Sequence, residues 1–401
     1  MPKSLVKDAL GNDVENLSTE QGSGGVAQAP QKEGSPDDAE LAKIAAQLDV
    51  SIKIVGCGGG GSNTINRIVE TGISGAQLCA INTDAKHLLS VHAPRKILIG
   101  RTVTKGLGAG ALPEMGEAAA RENENDIKEF IKGANIVFVT AGMGGGTGTG
   151  SAHYVARMAK ESQALVLGVV TLPFKAEGEI RMENALEGLE RLRRVCDTTI
   201  VIPNDKLLEL VPKLPIDAAF KVADEVLMQT IKGLTEIITK PGLVNLDYSD
   251  IRTVMNEGGV AFVGIGEADD EDPKERVETA VNEALNSPLL GEIDLADAKG
   301  ALIRVVGGPD MTVSQAERAA EVVGSRISRR ARLIWGCSIE KELEGQIRVL
   351  LIVTGAKSGL MMTRASQPVA SVAAPAPKKG ATAGAARDNS FIRGPDIDFI
   401  N

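Results

Sequence analysis

The sequence predicts an α/β protein, in which a parallel β-sheet covered by helices on both faces is joined by a long helix to a second, smaller α/β domain. Three observations lead to this prediction. Short apolar runs alternate with segments of helical periodicity. The 45 glycines cluster in loops that directly follow predicted strands. A long helical pattern, Asp217 to Thr239, separates two such alternating regions and stops at Pro241 and Gly242.

Buried strands are predicted in the first region wherever a short apolar run is bounded by polar or turn-forming residues. These runs are Ser51–Val55, Gln77–Ile81, Asn135–Thr140, Leu165–Leu172 and Thr198–Ile202. Helical periodicity follows them, for example over Ser151–Lys160 and Met182–Arg194. Strands that alternate with helices in this way typically form a parallel sheet with both faces covered.

The second region repeats the pattern on a smaller scale. Its predicted strands are Val260–Gly264, Ala301–Val306, Arg332–Ile339 and Gln346–Thr354, and its predicted helices lie near Pro273–Leu285 and over Val313–Ser328. Glycines become fewer, and no loop of the phosphate-binding type occurs here. The candidate site therefore belongs to the first region.

The two ends of the chain differ from the rest. Residues 1–49 have few large apolar side chains and are predicted to be disordered or weakly helical, with a hint of a helix only from Asp38 to Leu48. Residues 358–390 are predicted to be a flexible linker, since most of this stretch is Ala, Pro, Lys and Gly. Apolar residues return in residues 391–401, which predicts a peptide that docks on a partner; disorder without a partner is the alternative. The core is predicted to divide into residues 50–216, a central helix over 217–240, and residues 241–357.

Composition excludes several classes of protein. The chain has 44 Lys and Arg against 53 Asp and Glu, and 2% aromatic residues, so nucleic-acid binding is not expected. Four cysteines without a CxxC pair and three histidines argue against a zinc ribbon, a disulfide scaffold or a His-rich metal site. The longest apolar stretch, Leu165 to Phe174, is far shorter than the roughly 20 residues that cross a bilayer, and no signal peptide is recognisable. We therefore expect a cytoplasmic protein that does not insert into the membrane.

The first candidate loop reads GCGGGGSN over residues 56–63, directly after a predicted strand and at the start of a helix. Glycines let the backbone approach a phosphate closely, and the free N–H groups of a helix N-terminus favour an anion. Gly56, Gly58 and Gly61 also fit the GxGxxG pattern, and Asp84 ends the next predicted strand region. This loop alone therefore also fits a dinucleotide site.

The second candidate loop is more specific, because residues 144–150 form an unbroken run of Gly and Thr, GGGTGTG. The hydroxyls of Thr147 and Thr149 suit phosphate oxygens or a hydrated magnesium ion, whereas a plain tight turn needs only one or two glycines. A third glycine-rich loop, Gly106 to Gly110, lies between the other two. Three such loops at the carboxyl ends of one sheet favour a nucleoside triphosphate. The chain has no Gly-Lys dipeptide and hence no P-loop lysine, so we expect the backbone to hold the nucleotide.

The run GGGTGTG resembles the signature of the tubulin/FtsZ family. With GCGGGGSN at 56–63, NTD at 82–84, GLGAG at 106–110 and NLDYSD at 245–250, the chain is identified as a member of the FtsZ group, the prokaryotic cell-division GTPases, and is most similar to archaeal members. The resemblance runs from about Ser51 to Ala356. It implies a tubulin/FtsZ-like fold, with a Rossmann-like GTP-binding domain, a central helix and a C-terminal activation and polymerisation domain. It also implies GTP and GDP as ligands, with Mg²⁺ bound through the phosphates and not directly by the protein.

The resemblance also implies which residues contact the nucleotide. Those of the loops are Gly58, Gly59, Gly60, Gly61, Ser62, Asn63, Thr64, Asp84, Gly108, Ala109, Gly110, Gly144, Gly145, Gly146, Thr147, Gly148 and Thr149. Glu177 and Arg181 match positions that contact the ribose and a phosphate, although residues spaced i, i+4 also form surface ion pairs. Asn204 and Asp224 match guanine-recognising positions, and Phe220 matches a base-stacking one. A carboxylate suits guanine because it accepts from both the N1 and N2 donors.

The hydrolytic residues are not found in the glycine loops, which contain no carboxylate to position a water molecule. The candidates are Asp247 and Asp250 with the accompanying Asn245, although this pattern also fits a helix start with an acidic first turn. The resemblance implies that their loop reaches the γ-phosphate bound by the next subunit, so that hydrolysis requires head-to-tail assembly. Ser62 and Leu112 depart from the family, which commonly has Gly or Asn at the first position and Asn at the second.

The resemblance finally implies partners and a cellular role. Identical subunits would assemble into filaments of the division ring, and a SepF-like adaptor bound to residues 391–401 would tether them to the membrane. Two alternatives stay open. A Rossmann oxidoreductase could use the first loop, but it leaves GGGTGTG unexplained and lacks a catalytic His or Tyr near a nicotinamide. A GTP-binding paralogue could instead act as a scaffold or in cell shape.

Overall fold

A computed structural model describes residues 50–210, 216–239, 248–256, 258–291 and 293–356. The predicted N-terminal extension, the linker and the peptide of residues 391–401 lie outside these ranges, as do Asn245 and Asp247. Within the ranges given, no helix combines the length and apolar character that a membrane span requires.

The strands of the described chain form one continuous ten-stranded sheet. They are β1 (Ile52–Cys57), β2 (Ala76–Asn82), β3 (Arg95–Leu98), β4 (Ile136–Gly142), β5 (Leu165–Leu172), β6 (Thr198–Pro203), β7 (Gly259–Ala268), β8 (Gly300–Gly307), β9 (Arg332–Ile339) and β10 (Ile347–Thr354). Their order in the sheet is β3-β2-β1-β4-β5-β6-β7-β10-β8-β9.

The helices connect these strands and cover them. They are α1 (Gly58–Thr71), α2 (Ala85–Ser90), α3 (Pro113–Glu122), α4 (Glu124–Ile131), α5 (Thr147–Glu161), α6 (Glu179–Arg193), α7 (Asn204–Leu210), α8 (Ile216–Thr239), α9 (Tyr248–Met255), α10 (Pro273–Leu285) and α11 (Val313–Arg326). Short 3₁₀ turns occur at Lys175–Glu177, Leu295–Asp297 and Lys341–Leu343.

Strands β1 to β6 are parallel, which confirms the prediction for the first region. Both faces are covered, because successive side chains of a strand point to opposite faces. In β4, Ile136 and Phe138 join one buried cluster with α1 and α8, while Val137 and Val139 join another with α4, α5 and α6. The sequence did not predict β3, a four-residue edge strand that begins with two exposed basic residues.

The second region continues the same sheet instead of forming a sheet of its own. Residues 198–200 of β6 pair in parallel with residues 259–261 of β7. Strand β10 then lies between β7 and β8 and is antiparallel to both. This pairing satisfies backbone groups in the first half of β6, which would otherwise be part of an unpaired edge.

The central helix α8 begins one residue before the predicted start and ends at the predicted Thr239. At 24 residues it is about 36 Å long. Leu227, Ile231 and Leu234 are buried against the sheet. Near the end of the helix, buried Glu236 forms an ion pair with Arg304 of β8. Helix α8 thus contacts the strands of both regions.

Candidate functional site

The three glycine-rich loops come together at the carboxyl edge of the parallel strands. Strands β1 and β4 are neighbours, so the loops that follow them emerge side by side. A Cβ atom added to Gly58 would lie only 2.6 Å from the backbone nitrogen of Gly148. A Cβ added to Gly146 would lie 2.9 Å from the Cβ of Ala109 in the third loop. The structure therefore gathers the loops that the sequence singled out into one cradle of backbone.

Two helix N-termini open into this cradle. Helix α1 begins at Gly58 and α5 at Thr147, and neither has a side chain that caps its first N–H groups. Neither has an acidic residue in its first turn. The first N–H groups of a helix have no partner within the helix, and together with the helix dipole they stabilise an anion. Because both N-termini point to the same place, the cradle suits a group with several negative charges.

The threonine hydroxyls of the cradle hold the loops in place. Thr147 and Thr83 share a hydrogen bond of 2.6 Å between their buried hydroxyls. The hydroxyl of Thr149 accepts from the backbone nitrogen of Gly144 at 2.9 Å, and that of Thr64 donates to the carbonyl of Gly60 at 3.1 Å. Backbone N–H groups are thus the main donors left for a phosphate, and a direct phosphate contact from these hydroxyls stays a prediction.

Asp84, predicted to contact the nucleotide, caps a helix. Its carboxylate accepts from the backbone nitrogen of His87 at 2.9 Å, at the start of α2. The neighbouring Thr83 was not predicted, although its carbonyl accepts from the nitrogen of Gly108 at 3.3 Å and so fixes the third loop. Its position two residues before a helix, within the segment NTD, is the signal that could have identified it.

The two departures from the family pattern have different surroundings. Ser62 is fully buried and its hydroxyl has no hydrogen-bond partner, which costs stability because burial has removed it from water. Leu112 is the N-cap residue of α3, is 54% exposed and makes no side-chain cap. Asn63, next to Ser62, is exposed, and its side-chain oxygen lies 3.0 Å from Nε2 of His87.

Glu177 and Arg181 form the ion pair that their spacing allows. The Glu177 carboxylate also accepts from the backbone nitrogen of Phe174 at 2.9 Å, which fixes the turn after β5. A Cβ added to Gly144 would lie 2.8 Å from the carbonyl oxygen of Arg181. The start of α6 therefore lies against the GGGTGTG loop. Contacts of Glu177 and Arg181 with the ribose and a phosphate stay a prediction.

Residues of a different character lie on α7 and α8, two helices that contact each other. Asn204, the first residue of α7, is buried, and its side-chain oxygen has no hydrogen-bond partner. Burial raises the pKa of Asp224 on α8 to about 6, against the opposing effect of the positive charge of Arg67. The ring of Phe220 meets that of Phe174 edge to face at 5.0 Å. An unpaired acceptor, a half-buried carboxylate and a partly exposed ring suit a flat, donor-bearing base.

Asp250 lies near the amino ends of the parallel strands, whereas the cradle lies at their carboxyl ends. It is exposed in the first turn of α9. The hydroxyl of the adjacent Tyr248 donates to the carbonyl of Asn135 at 3.3 Å, directly before β4 begins. The glycine loop follows the other end of β4, and a strand of seven residues is about 20 Å long. Asp250 therefore cannot reach the cradle of its own chain.

The described residues contain no group of three or more His, Cys, Asp and Glu side chains that could hold a metal ion. All four cysteines are buried. The sequence analysis assigned Cys57 to the first glycine-rich loop. In the structure it is the last residue of β1 and is part of the hydrophobic core.

Comparisons with known proteins agree with this architecture. A model of the GTPase domain of the Tubulin/FtsZ family matches residues 51–212, and a model of the C-terminal domain of the FtsZ family matches residues 259–357. The chain is 54% identical over 330 residues to cell division protein FtsZ 1 of Archaeoglobus fulgidus, covering 82% of this chain and 89% of that protein.

Solved structures give the same result. An FtsZ dimer of M. jannaschii matches with a TM-score of 0.76 at 52% identity, covering 80% of this chain and 92% of that one. A protofilament of CetZ2 from Haloferax volcanii matches with a TM-score of 0.65 at 23% identity, covering 77% and 94%. At that identity the second likeness shows the fold alone.

Proposed function

This chain belongs to the FtsZ family of tubulin-like GTPases, and from that premise we propose that it polymerises head-to-tail into filaments of the cell-division ring and hydrolyses GTP between subunits. The family match confirms the family that the glycine-rich loops indicated, and the structural match confirms the predicted fold. The chain is a GTPase that binds a guanine nucleotide, so the oxidoreductase alternative is rejected. Relatives about half identical to it are named cell division proteins, which favours division over the shape-related paralogue.

One observation carries the proposal of a shared active site. The cradle for the phosphates is at the carboxyl edge of the parallel strands, and Asp250 is at the opposite edge, roughly a strand length of 20 Å away. No motion of one folded subunit joins these two ends, because the sheet lies between them. Stacking a second subunit end to end does join them, and the same contact repeats indefinitely to give a filament.

The residues of the cradle have distinct roles in this proposal. The N–H groups at the start of α1 and α5, from Gly58 to Gly61 and from Thr147 to Thr149, bind the phosphates. Glu177 and Arg181 contact the ribose and a phosphate. Asn204 and Asp224 read the guanine edge and Phe220 stacks on the base. Gly108, Ala109 and Gly110 close the γ-phosphate side of the cradle.

Hydrolysis is completed by the neighbouring subunit. Asp250, with Asp247 and Asn245, orients a water molecule toward the γ-phosphate and accepts its proton as the new P–O bond forms. The bond to the GDP leaving group then breaks, and inorganic phosphate departs. Mg²⁺, when bound through the nucleotide phosphates, would neutralise part of their charge. The hydroxyls of Thr147 and Thr149 are hydrogen-bonded to protein atoms, so the phosphates would be the main ligands of such an ion.

These proposed roles assign a function to each segment of the chain. Residues 50–216 bind GTP, residues 217–240 form the central helix, and residues 241–357 activate the neighbour's nucleotide and complete the filament contact. The extents of the two family matches, 51–212 and 259–357, support this division. The filament acts in the cytoplasm, at the division site.

The proposed function predicts that turnover depends on assembly. GTP turnover per molecule should be low in dilute solution and should rise above a critical protein concentration, at which the protein also begins to sediment with GTP. The reason is that each active site needs two subunits. Phosphate release and sedimentation, measured over one concentration series, test this. Turnover per molecule that is independent of concentration would contradict a shared site.

Guanine recognition by Asp224 predicts a pH dependence of binding. The folded pKa is raised from 3.8 to about 6, so below that pH the carboxylate is protonated and can no longer accept from both guanine donors. Nucleotide affinity should be level above neutrality and fall as the pH decreases through about 6, becoming close to tenfold weaker for each further unit.

The matched variant for this prediction is Asp224→Asn. It should bind GTP more weakly at neutral pH, but it should lack the loss that begins near pH 6. Titration of the nucleotide's own phosphate is common to both proteins and cancels in the comparison. Identical pH profiles for the two proteins would rule out Asp224 as the titrating group.

The C-terminal peptide is proposed to dock a membrane-tethering adaptor of the SepF type. Deletion of residues 391–401 should abolish adaptor binding in a pull-down or by calorimetry, while turnover and sedimentation stay unchanged, because the filament contacts lie elsewhere. A deletion of equal length within the linker, residues 369–379, is the control and should bind the adaptor normally. Equal adaptor binding by the two deletion variants would refute this role.

A further inference from the structure

An apolar groove lies at the amino edge of the sheet, on the side away from the nucleotide cradle. Its cavity of about 510 Å³ is lined mainly by apolar side chains from the end of α1, from β2, from the segment before β3 and from α4. These are Val69, Ile73, Ala76, Leu78, Pro94 and Phe130. We call this the β2 groove. Most of these side chains are only partly buried, so the described chain leaves them incompletely covered.

The chain enters the described structure beside the β2 groove. Ala76, which lines the groove, pairs with Ile52 at the start of β1. Neighbouring strands are about 5 Å apart, so residues just before β1 are within immediate reach of the groove. Val50, the first described residue, already packs in the same buried cluster as Val69 and Ile73.

The segment before Val50 has the pattern of a short amphipathic helix. Ser35 and Pro36 followed by Asp37 and Asp38 are typical of a helix start, with a capping serine, a proline in the first turn and acidic residues near the N-terminus. Leu41, Ile44, Ala45 and Leu48 then follow at i, i+3, i+4 and i+7, which places them on one face. A helix this short is marginal in water by itself and needs a surface on which to bury that face.

We propose that residues 36–48 fold as a helix whose apolar face, formed by Leu41, Ile44 and Leu48, occupies the β2 groove of the same chain. Residues 36–48 are favoured over a second molecule as the occupant of the groove, because they are covalently linked to it. Only residue 49 separates them from Val50, so their effective local concentration is high. The segment from 36 to 49 carries four acidic residues and one lysine. Arg95 is exposed at the rim of the groove, and its ion pair with Glu129, at 3.6 Å, is long and exposed, so the acidic segment can compete for this cation.

A thiol cross-linking experiment on the full chain, kept dilute and with GDP, tests this proposal. Gln77 lines the groove and is exposed, so Gln77→Cys leaves the core intact. Combined with Leu41→Cys it should give rapid intramolecular cross-linking by a short bis-maleimide. Combined with Ala46→Cys, on the opposite face of the helix, it should react several-fold more slowly. The native cysteines do not interfere, since all four are buried and burial raises the pKa of Cys79 and Cys196 to about 12.

Every outcome of this experiment decides the question. Faster intramolecular cross-linking from position 41 supports the proposal, and equal rates from positions 41 and 46 overturn it. Products that link two chains would assign the groove to a second copy and also overturn it. Hydrogen exchange gives an independent measure: Leu41→Asp should accelerate exchange in residues 69–78, whereas Ala46→Asp, with the same added charge, should not.

Discussion

Replacement of Asp250 by alanine is expected to reduce GTP turnover by a factor of roughly 10² to 10⁴, the usual contribution of a general base, while GTP-dependent filaments still form. The nucleotide cradle lies at the other edge of the sheet and stays intact. Loss of an acidic residue from the first turn of α9 costs only about 0.3–1 kcal/mol of helix stability, so unfolding does not explain the result. Phosphate release, measured with sedimentation on the same samples, checks it.

The control for Asp250→Ala is Ser249→Ala, which changes an exposed neighbour in the same turn. It should retain normal turnover. Asp250→Asn should behave like the alanine variant, since an amide cannot take the proton from water. If Asp250→Ala bound GTP, formed filaments and hydrolysed GTP at the normal rate, Asp250 would have no catalytic role.

The second large effect is expected for Gly148→Ala. The new Cβ would lie 2.9 Å from the carbonyl oxygen of Gly142 and 3.1 Å from that of Cys57, so the strand ends and the start of α5 must move apart. Two misplaced N–H donors to a charged phosphate cost about 1.5–3 kcal/mol each, which corresponds to at least roughly 100-fold weaker binding of GTP. Overpacking also costs about 1–3 kcal/mol of folding stability.

Gly324→Ala is the matched control for this glycine substitution. Gly324 lies within α11, and a Cβ there would make only an ordinary contact of 3.4 Å with Leu333. The variant should bind GTP normally, and it should be more stable by up to about 1 kcal/mol because alanine favours a helix. Nucleotide titration and thermal unfolding of both variants separate lost binding from lost folding. Normal GTP affinity in a folded Gly148→Ala protein would disprove the role of this close approach.

Mixing the two variants tests the shared site directly. Asp250→Ala supplies bound GTP but lacks the hydrolytic carboxylate, whereas Gly148→Ala retains Asp250 but binds GTP poorly. In mixed filaments, some cradles of the first variant face Asp250 of the second, so turnover should exceed the sum of the separate proteins. Sedimentation shows whether the two variants enter the same filament. Co-sedimentation without recovered turnover would contradict catalysis across the interface.

The elements that were predicted well are those whose signal is local. Helix α10 has the predicted bounds, Pro273 to Leu285, because its periodicity and first-turn proline lie within the segment itself. The apolar run of β5 likewise identified the strand from Leu165 to Leu172. Strand β3 was missed because four residues with a charged start do not differ from a loop. Its pairing with β2 supplies the hydrogen bonds that make it a strand.

For the candidate site, the glycine-rich loops that form it could be identified from the sequence alone. Runs of glycine after apolar strands specify backbone that can approach phosphates, and parallel strands bring their following loops to one edge. The hydrogen-bond partners, the burial and the relative positions of the site residues became known only from the tertiary structure. Thr147 is bonded to Thr83, 64 residues away in the chain; Asp224 is buried enough to raise its pKa; and Asp250 lies at the far edge of the sheet. Propensity depends on a residue and its near neighbours, whereas hydrogen-bond partners, burial and the distance between two edges depend on packing between segments far apart in sequence.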